Sequence, residues 1–150
     1  MGSRRQRGGT NPAAAGREAL RVRVAFADTD AMGVAWHGVY LRWFEMARTE
    51  LLRATELPYA ALVARGLHLP LIEALVRYRK AVRYDDELIV RAVTSAVRGV
   101  RLRVDYRIER GGALIAEGHT EHAFTDAAGR VRRPPRDVVA IFERLAAQAR

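Results

Sequence analysis

Cysteine is absent from the 150 residues. Its absence excludes disulfides, thiolate nucleophiles and cysteine-ligated zinc. Also missing is any run of the roughly 18 to 20 consecutive apolar residues that a membrane-spanning helix needs. No apolar stretch follows the N-terminal arginines in the manner of a signal peptide, so a cytoplasmic location is expected. Lysine is nearly missing too: Lys80 is the only one, and the formal charge of +9 is almost wholly arginine. Part of that excess lies in Arg4, Arg5, Arg7, Arg17 and Arg21, opposed over the same stretch by Glu18 alone. The remaining arginines alternate with apolar residues or mix with Asp and Glu, as on a solvated face. No recognition helix or stacking platform accompanies the charge, so nucleic acid is not the expected partner.

What the chain does contain is 49% hydrophobic residues, enough for one domain with a sizeable core and too few residues in total for two. Residues 1–19 are Gly, Arg, Ala and Pro without a hydrophobic period, which predicts a disordered basic extension ahead of a domain over residues 20–150. Leu20, Val22, Val24 and Phe26 alternate with Arg21, Arg23 and Ala25, the pattern of a strand with one buried face. The turn-forming segment 28–38 follows, with two aspartates and two glycines. From 39 to about 54 the period becomes helical, with Tyr40, Phe44, Ala47 and Leu51 on one face widened by Trp43 and Met46. So broad an apolar face predicts an enclosed helix.

Tyr59 to Arg65 reads as a short second helix closed by Gly66. Four strands follow. The first places Ile72, Ala74, Val76 and Tyr78 on its apolar face; another covers about 88–97. The clearest turns Leu102, Val104, Tyr106 and Ile108 inward and leads through Gly111-Gly112 into a last strand over 114–125. After Pro134 and Pro135, Asp137 caps a terminal helix with Val138, Ile141, Phe142 and Leu145 on one side. The class is therefore α+β, a five-stranded antiparallel sheet with a long helix to bury. A twisted sheet wrapped around that helix, the arrangement known as the hotdog fold, buries it most economically.

The stretch Asp28-Thr29-Asp30-Ala31-Met32-Gly33-Val34-Ala35-Trp36-His37-Gly38-Val39-Tyr40, with Phe44, Glu45, Ala47 and Arg48 behind it, resembles the signature of the 4-hydroxybenzoyl-CoA thioesterase family. It is especially similar to the Tol-Pal-associated branch of acyl-CoA thioesterases, including histidine at position 37. Tyr78 to Leu88, Ala116-Glu117-Gly118 and the 129–134 run agree as well, so the likeness spans about 21–145. The resemblance implies hydrolysis of short or aromatic acyl-CoA thioesters, Asp30 as the catalytic carboxylate, and homodimers or homotetramers with active sites at subunit interfaces. It implies no cofactor. An acyl carrier protein is an alternative donor of the acyl group, and a non-catalytic acyl-CoA-binding module is a second alternative.

A thioester carbonyl needs its oxygen polarised and a nucleophile or activated water delivered. The first free N–H groups of the long helix, at His37 and Gly38, suit the first task. Asp30 suits the second, either attacking directly or drawing a proton from water. From local pattern alone an aspartate before a helix is more often a cap or Asx-turn residue, and that reading stands for Asp28. Gly33 is expected to let the loop approach closely, the His37 imidazole to position water or substrate, and Trp36, Tyr40, Trp43 and Phe44 to form core and pocket wall. Arg132 and Arg133 are candidates for the phosphates of coenzyme A. Glu45 lies in or beside the buried sector, where pairing with Arg42 or Arg48 is expected. Glu117, His119 and Glu121 share one strand face and read as solvated surface rather than metal ligands; His122 points to the opposite face, and His68 stands alone.

Overall fold

The structure, a computed structural model, describes residues 16–148. Its first strand, β1 (Arg17–Arg23), begins earlier than the alternation suggests, because Arg17 and Glu18 pair with Ala92 and Arg91. The final residues of the expected extension are therefore strand; residues 1–15 lie outside those described. The strand also ends sooner. Val24 is buried, but Phe26 opens a 3-10 turn, Phe26–Asp28, and is 78% exposed rather than inward-facing.

The long helix α1 (Val39–Arg53) starts just after Gly38 and buries Val39, Tyr40, Trp43, Phe44, Ala47, Leu51 and Leu52. Residues three and four apart stack on one side of a helix, which is why this set forms one continuous face. A short α2 (Tyr59–Ala64) follows, and Gly66 takes the positive φ that ends it. The remaining strands are β2 (Leu71–Tyr78), β3 (Glu87–Thr94), β4 (Arg101–Arg110) and β5 (Ala113–Ala123). They assemble with β1 into one sheet ordered β1-β3-β4-β5-β2, every pair antiparallel.

The inner face of this sheet receives α1. Leu102, Val104, Tyr106 and Ile108 of β4 are all buried, as their alternation requires, and the Tyr106 ring stacks on Phe44 of α1 at 4.2 Å. Side chains of this size each contribute about 1.5–3 kcal/mol when fully buried, so the contact between α1 and the sheet is the main store of stability. On the outer face charges pair across and along strands, as Arg91 of β3 does with Glu109 of β4 and Arg103 with Asp105 within β4. The terminal helix α3 (Arg136–Gln148) buries Val138, Ile141, Phe142 and Leu145, and Phe142 meets Phe124 edge to face. Asp137 lies in its first turn rather than capping it, and pairs with Arg65 at 2.7 Å.

One expectation fails at β2. Leu71, Ile72 and Tyr78 are about half exposed, and Ala74 is exposed as well. The strand lies at the end of the sheet and pairs only with β5, so α1 covers just its middle, around Val76. Among the described residues no helix is long and apolar enough to cross a membrane.

Candidate active site

Between β1 and α1 the chain makes a tight loop. Thr29 and Ala35 form an antiparallel bridge, the Asp30 N–H donates to the Val34 carbonyl at 3.0 Å, and Ala35 N–H ties the loop to Val82 on the far side. Gly33 makes the reversal possible: its φ of +74° is open to glycine at no steric cost. Its contribution is this turn, whereas the close approach expected of it occurs at Gly38. There a methyl group would sit 2.2 Å from the Trp36 ring, so the indole closes off the space beside the entrance to α1. Trp36 is 45% exposed and does not wall the cavity described below; its ring also meets His37 edge-on at 5.2 Å.

Asp28 anchors the loop from beneath. Its buried carboxylate accepts the Ala25 N–H at 2.9 Å and faces Arg42 at 3.5 Å, while its carbonyl accepts the Trp36 N–H. Asp30 points the other way. Oδ1 accepts the Met32 N–H at 2.9 Å in an Asx turn, and Oδ2 has no partner among the described residues. The Asx role and an outward-facing oxygen thus coexist on one carboxylate.

That carboxylate lines an open cavity of about 310 Å³ together with Met32, Val34, Ala35, His37, Tyr40, Tyr78, Arg79, Lys80 and Ala81. Two segments distant in sequence meet here, the start of α1 and the end of β2. Gly38 provides no side-chain cap, and among the described residues no acceptor faces the backbone N–H of His37 or Gly38. Unclaimed donors at a helix start carry partial positive charge and favour an anionic oxygen. Tyr40 is buried in the first turn of α1, with its ring edge-on to Tyr78 at 4.9 Å. Burial pushes both phenols above their ordinary pKa, which keeps them protonated at neutral pH.

The structure brings Asp30, His37 and Tyr40 together, with Gly33 and Gly38 shaping the backbone, and leaves the two expected phosphate-binding arginines elsewhere. Neither Arg132 nor Arg133 lines this cavity. The Arg132 guanidinium is engaged by the carbonyls of Arg65 and Gly66 just beyond α2. The cations that do line the cavity are Arg79, paired with Glu117 at 2.6 Å, and Lys80. Sequence reasoning passed over both, and over Tyr78. Their signal was their position at the end of a strand just before the Tyr84-Asp85-Asp86 turn.

Glu45 is exposed rather than bordering the core, and neither expected arginine pairs with it: Arg42 reaches Asp28, and Arg48 turns inward to the Tyr106 hydroxyl. His119 does stand near Glu73 and Glu121, but Glu121 also pairs with Arg101, and the group sits on the charged outer face. His122 is fully buried beneath α1, hydrogen-bonded to Leu69 and Thr120. His68 is tied through its backbone to Thr125.

A five-stranded antiparallel sheet wrapped on one long helix is the hotdog fold. The model of the thioesterase-like superfamily matches residues 24–143, and the chain belongs to that family. The acyl-CoA thioesterase YbgC of Haemophilus influenzae is 32% identical over 83% of this chain and 93% of its own. Acyl-CoA thioester hydrolase YbgC of Escherichia coli is 32% identical over 81% and 92%. Among solved structures, a Thermus thermophilus hypothetical protein is 34% identical with a TM-score of 0.81, covering 86% of this chain and 99% of that one. The DHNA-CoA thioesterase of Staphylococcus aureus is 26% identical with a TM-score of 0.80, covering 85% and 89%.

Proposed function

We propose that the chain hydrolyses short-chain or aromatic acyl-CoA thioesters to the free acid and coenzyme A in the Asp30 cavity. The observation that carries this reading is one cavity holding both a carboxylate with an unengaged oxygen and the approach to unclaimed N–H groups at the start of α1. The names of the YbgC relatives support the acyl-CoA donor. In this reading the acyl carbonyl oxygen faces the His37 and Gly38 N–H groups, which stabilise the negative charge it gains as the carbon becomes tetrahedral.

Asp30 acts in one of two ways. As nucleophile it forms a mixed anhydride and expels the thiolate, and water then releases the acid. As general base it takes a proton from water while the resulting hydroxide attacks the carbonyl. The His37 imidazole lines the same space and is placed to hold that water. Arg79 and Lys80 take over the phosphate-binding task first assigned to Arg132 and Arg133. The outer edge of β2, unpaired among the described residues and with Leu71 and Ile72 exposed, supports a homodimer or homotetramer in which a second copy walls the open side of the cavity.

The test is release of free thiol by the purified protein from a panel of aliphatic and aromatic acyl-CoAs. Because the chain has no cysteine, all thiol signal comes from product. Turnover that vanishes in Asp30→Asn supports the reading, and failure to release thiol from any acyl-CoA overturns it. Matched acyl carrier protein substrates run in parallel establish which carrier is preferred.

A further inference from the structure

We propose that Tyr78 is a positioning residue of this site: its hydroxyl fixes and polarises the peptide unit between His37 and Gly38, one of whose ends is the N–H offered to the thioester oxygen. The proposal rests on the reading of the cavity given above. Its basis is a single contact between segments 41 residues apart, in which the Tyr78 hydroxyl donates to the His37 carbonyl at 2.5 Å.

The carbonyl of His37 and the N–H of Gly38 belong to one planar unit, so what holds the oxygen also aims the hydrogen. His37 stands one residue ahead of the N-cap Gly38, whose carbonyl is the first that the helix takes up, so the His37 oxygen needs a donor from outside α1. The neighbouring N–H groups are engaged elsewhere, that of Leu41 with the Gly38 carbonyl at 3.2 Å and that of Val39 with Trp36 at 3.1 Å. Among the described residues, no backbone N–H reaches the His37 oxygen, and the Tyr78 hydroxyl is its one donor. The peptide thus stands outside the helical ladder at both ends. A donor on its oxygen draws electron density toward that oxygen and makes the N–H opposite a stronger donor, by about 10–30% per bond.

Tyr78 is itself held in place. Its backbone is in register with Ala116 of β5, and its ring packs edge-on against Tyr40, a buried residue of α1. The sheet therefore braces the helix start through a rigid aromatic arm. On the other side the Trp36 ring covers Gly38 and leaves no room for a side chain. Oxygen and α-carbon of the same short segment are both clamped, which is the preorganisation that oxyanion stabilisation requires.

Tyr78→Phe tests this, because it keeps the ring and removes only the hydroxyl. The expected result is a fall in kcat of about 10- to 30-fold, less than the complete loss of an oxyanion donor, with KM within about twofold. A second readout does not depend on turnover: the Gly38 amide proton resonance moves upfield in Tyr78→Phe as the peptide loses its polarising donor. Wild-type kcat in Tyr78→Phe, or an unmoved Gly38 resonance, overturns the assignment. So does a loss of kcat matched by a collapse of melting temperature, which marks a merely structural role. The two readings fail separately. An inactive wild type, or an Asp30→Asn protein at full activity, defeats the site itself, whereas an active wild type silenced by Asp30→Asn with Tyr78→Phe at full kcat defeats Tyr78 alone.

Discussion

Thr120 Oγ1 lies 2.9 Å from Nε2 of His122, both residues buried under α1, and the groups flanking them dictate which one donates. His122 Nδ1 faces the Leu69 carbonyl at 3.1 Å, an acceptor only, so the neutral ring carries its hydrogen there and accepts at Nε2. Thr120 therefore donates to His122 and accepts from the Tyr106 hydroxyl at 2.8 Å; Tyr106 in turn accepts from Arg48 at 3.1 Å. Protonating Nε2 would leave this chain one acceptor short, because Arg48 can only donate and one hydroxyl hydrogen of Thr120 or Tyr106 would lose its partner. Burial first, then the Arg48 charge, pushes the His122 pKa down to about 4 despite the Leu69 carbonyl.

This ring makes stability fall as acid is added. Unfolded, histidine binds its proton near pH 6.5, whereas the folded ring resists until about pH 4. The neutral ring's contribution is fully present above pH 6.5 and is lost progressively between 6.5 and 4, on the order of 3 kcal/mol across the window. Melting temperature followed from pH 7.5 to 4 should show this loss in the wild type and a shallower one in His122→Gln. Parallel slopes in the two proteins would remove His122 as the cause.

Replacing Asp30 with asparagine retains an oxygen for the Met32 N–H, so the Asx turn survives and the melting temperature should stay within a few degrees. Activity should not survive. Loss of a general base or nucleophile is expected to lower kcat by at least about 100-fold. Residual turnover close to wild type would exclude Asp30 from the chemistry.

At Gly38 the expected damage is steric and local. A methyl group there meets three atoms of the Trp36 ring between 2.2 and 2.9 Å, and the indole must swing away. Gly38→Ala should therefore disturb the helix entrance and reduce kcat by about an order of magnitude, given the stringency of oxyanion geometry. Trp36→Ala makes the space, so the double variant should recover most of the loss. A double variant no better than Gly38→Ala would point to backbone conformation rather than the ring.

Lys80 lines the cavity with no side-chain partner among the described residues. Removing its charge in Lys80→Ala should raise KM for acyl-CoA several-fold and leave that for the matching acyl-pantetheine, which lacks the nucleotide phosphates, little changed. Equal changes for both substrates would place Lys80 away from the phosphates.

Much of the architecture was legible because β4 and α1 carry complete patterns: each inward position is apolar and the intervening positions are mostly polar or exposed. The misread segments have a physical explanation. Ile72 and Tyr78 alternate like core residues, but alternation records which face a side chain takes, not whether another layer covers that face. Phe26 continues the rhythm of β1 after hydrogen bonding has turned into a 3-10 bend. At the site, the loop around Asp30 was visible as a contiguous motif. Tyr78, Arg79 and Lys80 join it only through the fold, which brings the end of β2 to the start of α1. Arg132 was selected for its nearness to a turn, but its guanidinium is taken up by the carbonyls of Arg65 and Gly66 at the end of α2.

The scarcity of one residue type leaves the cavity with a built-in chemical address. Apart from the chain's own α-amino group, Lys80 is the protein's sole primary amine. A reagent selective for amines can therefore attach one fluorophore or crosslinker beside Asp30 without any engineered handle, and protection of that amine by a bound molecule reads out occupancy directly.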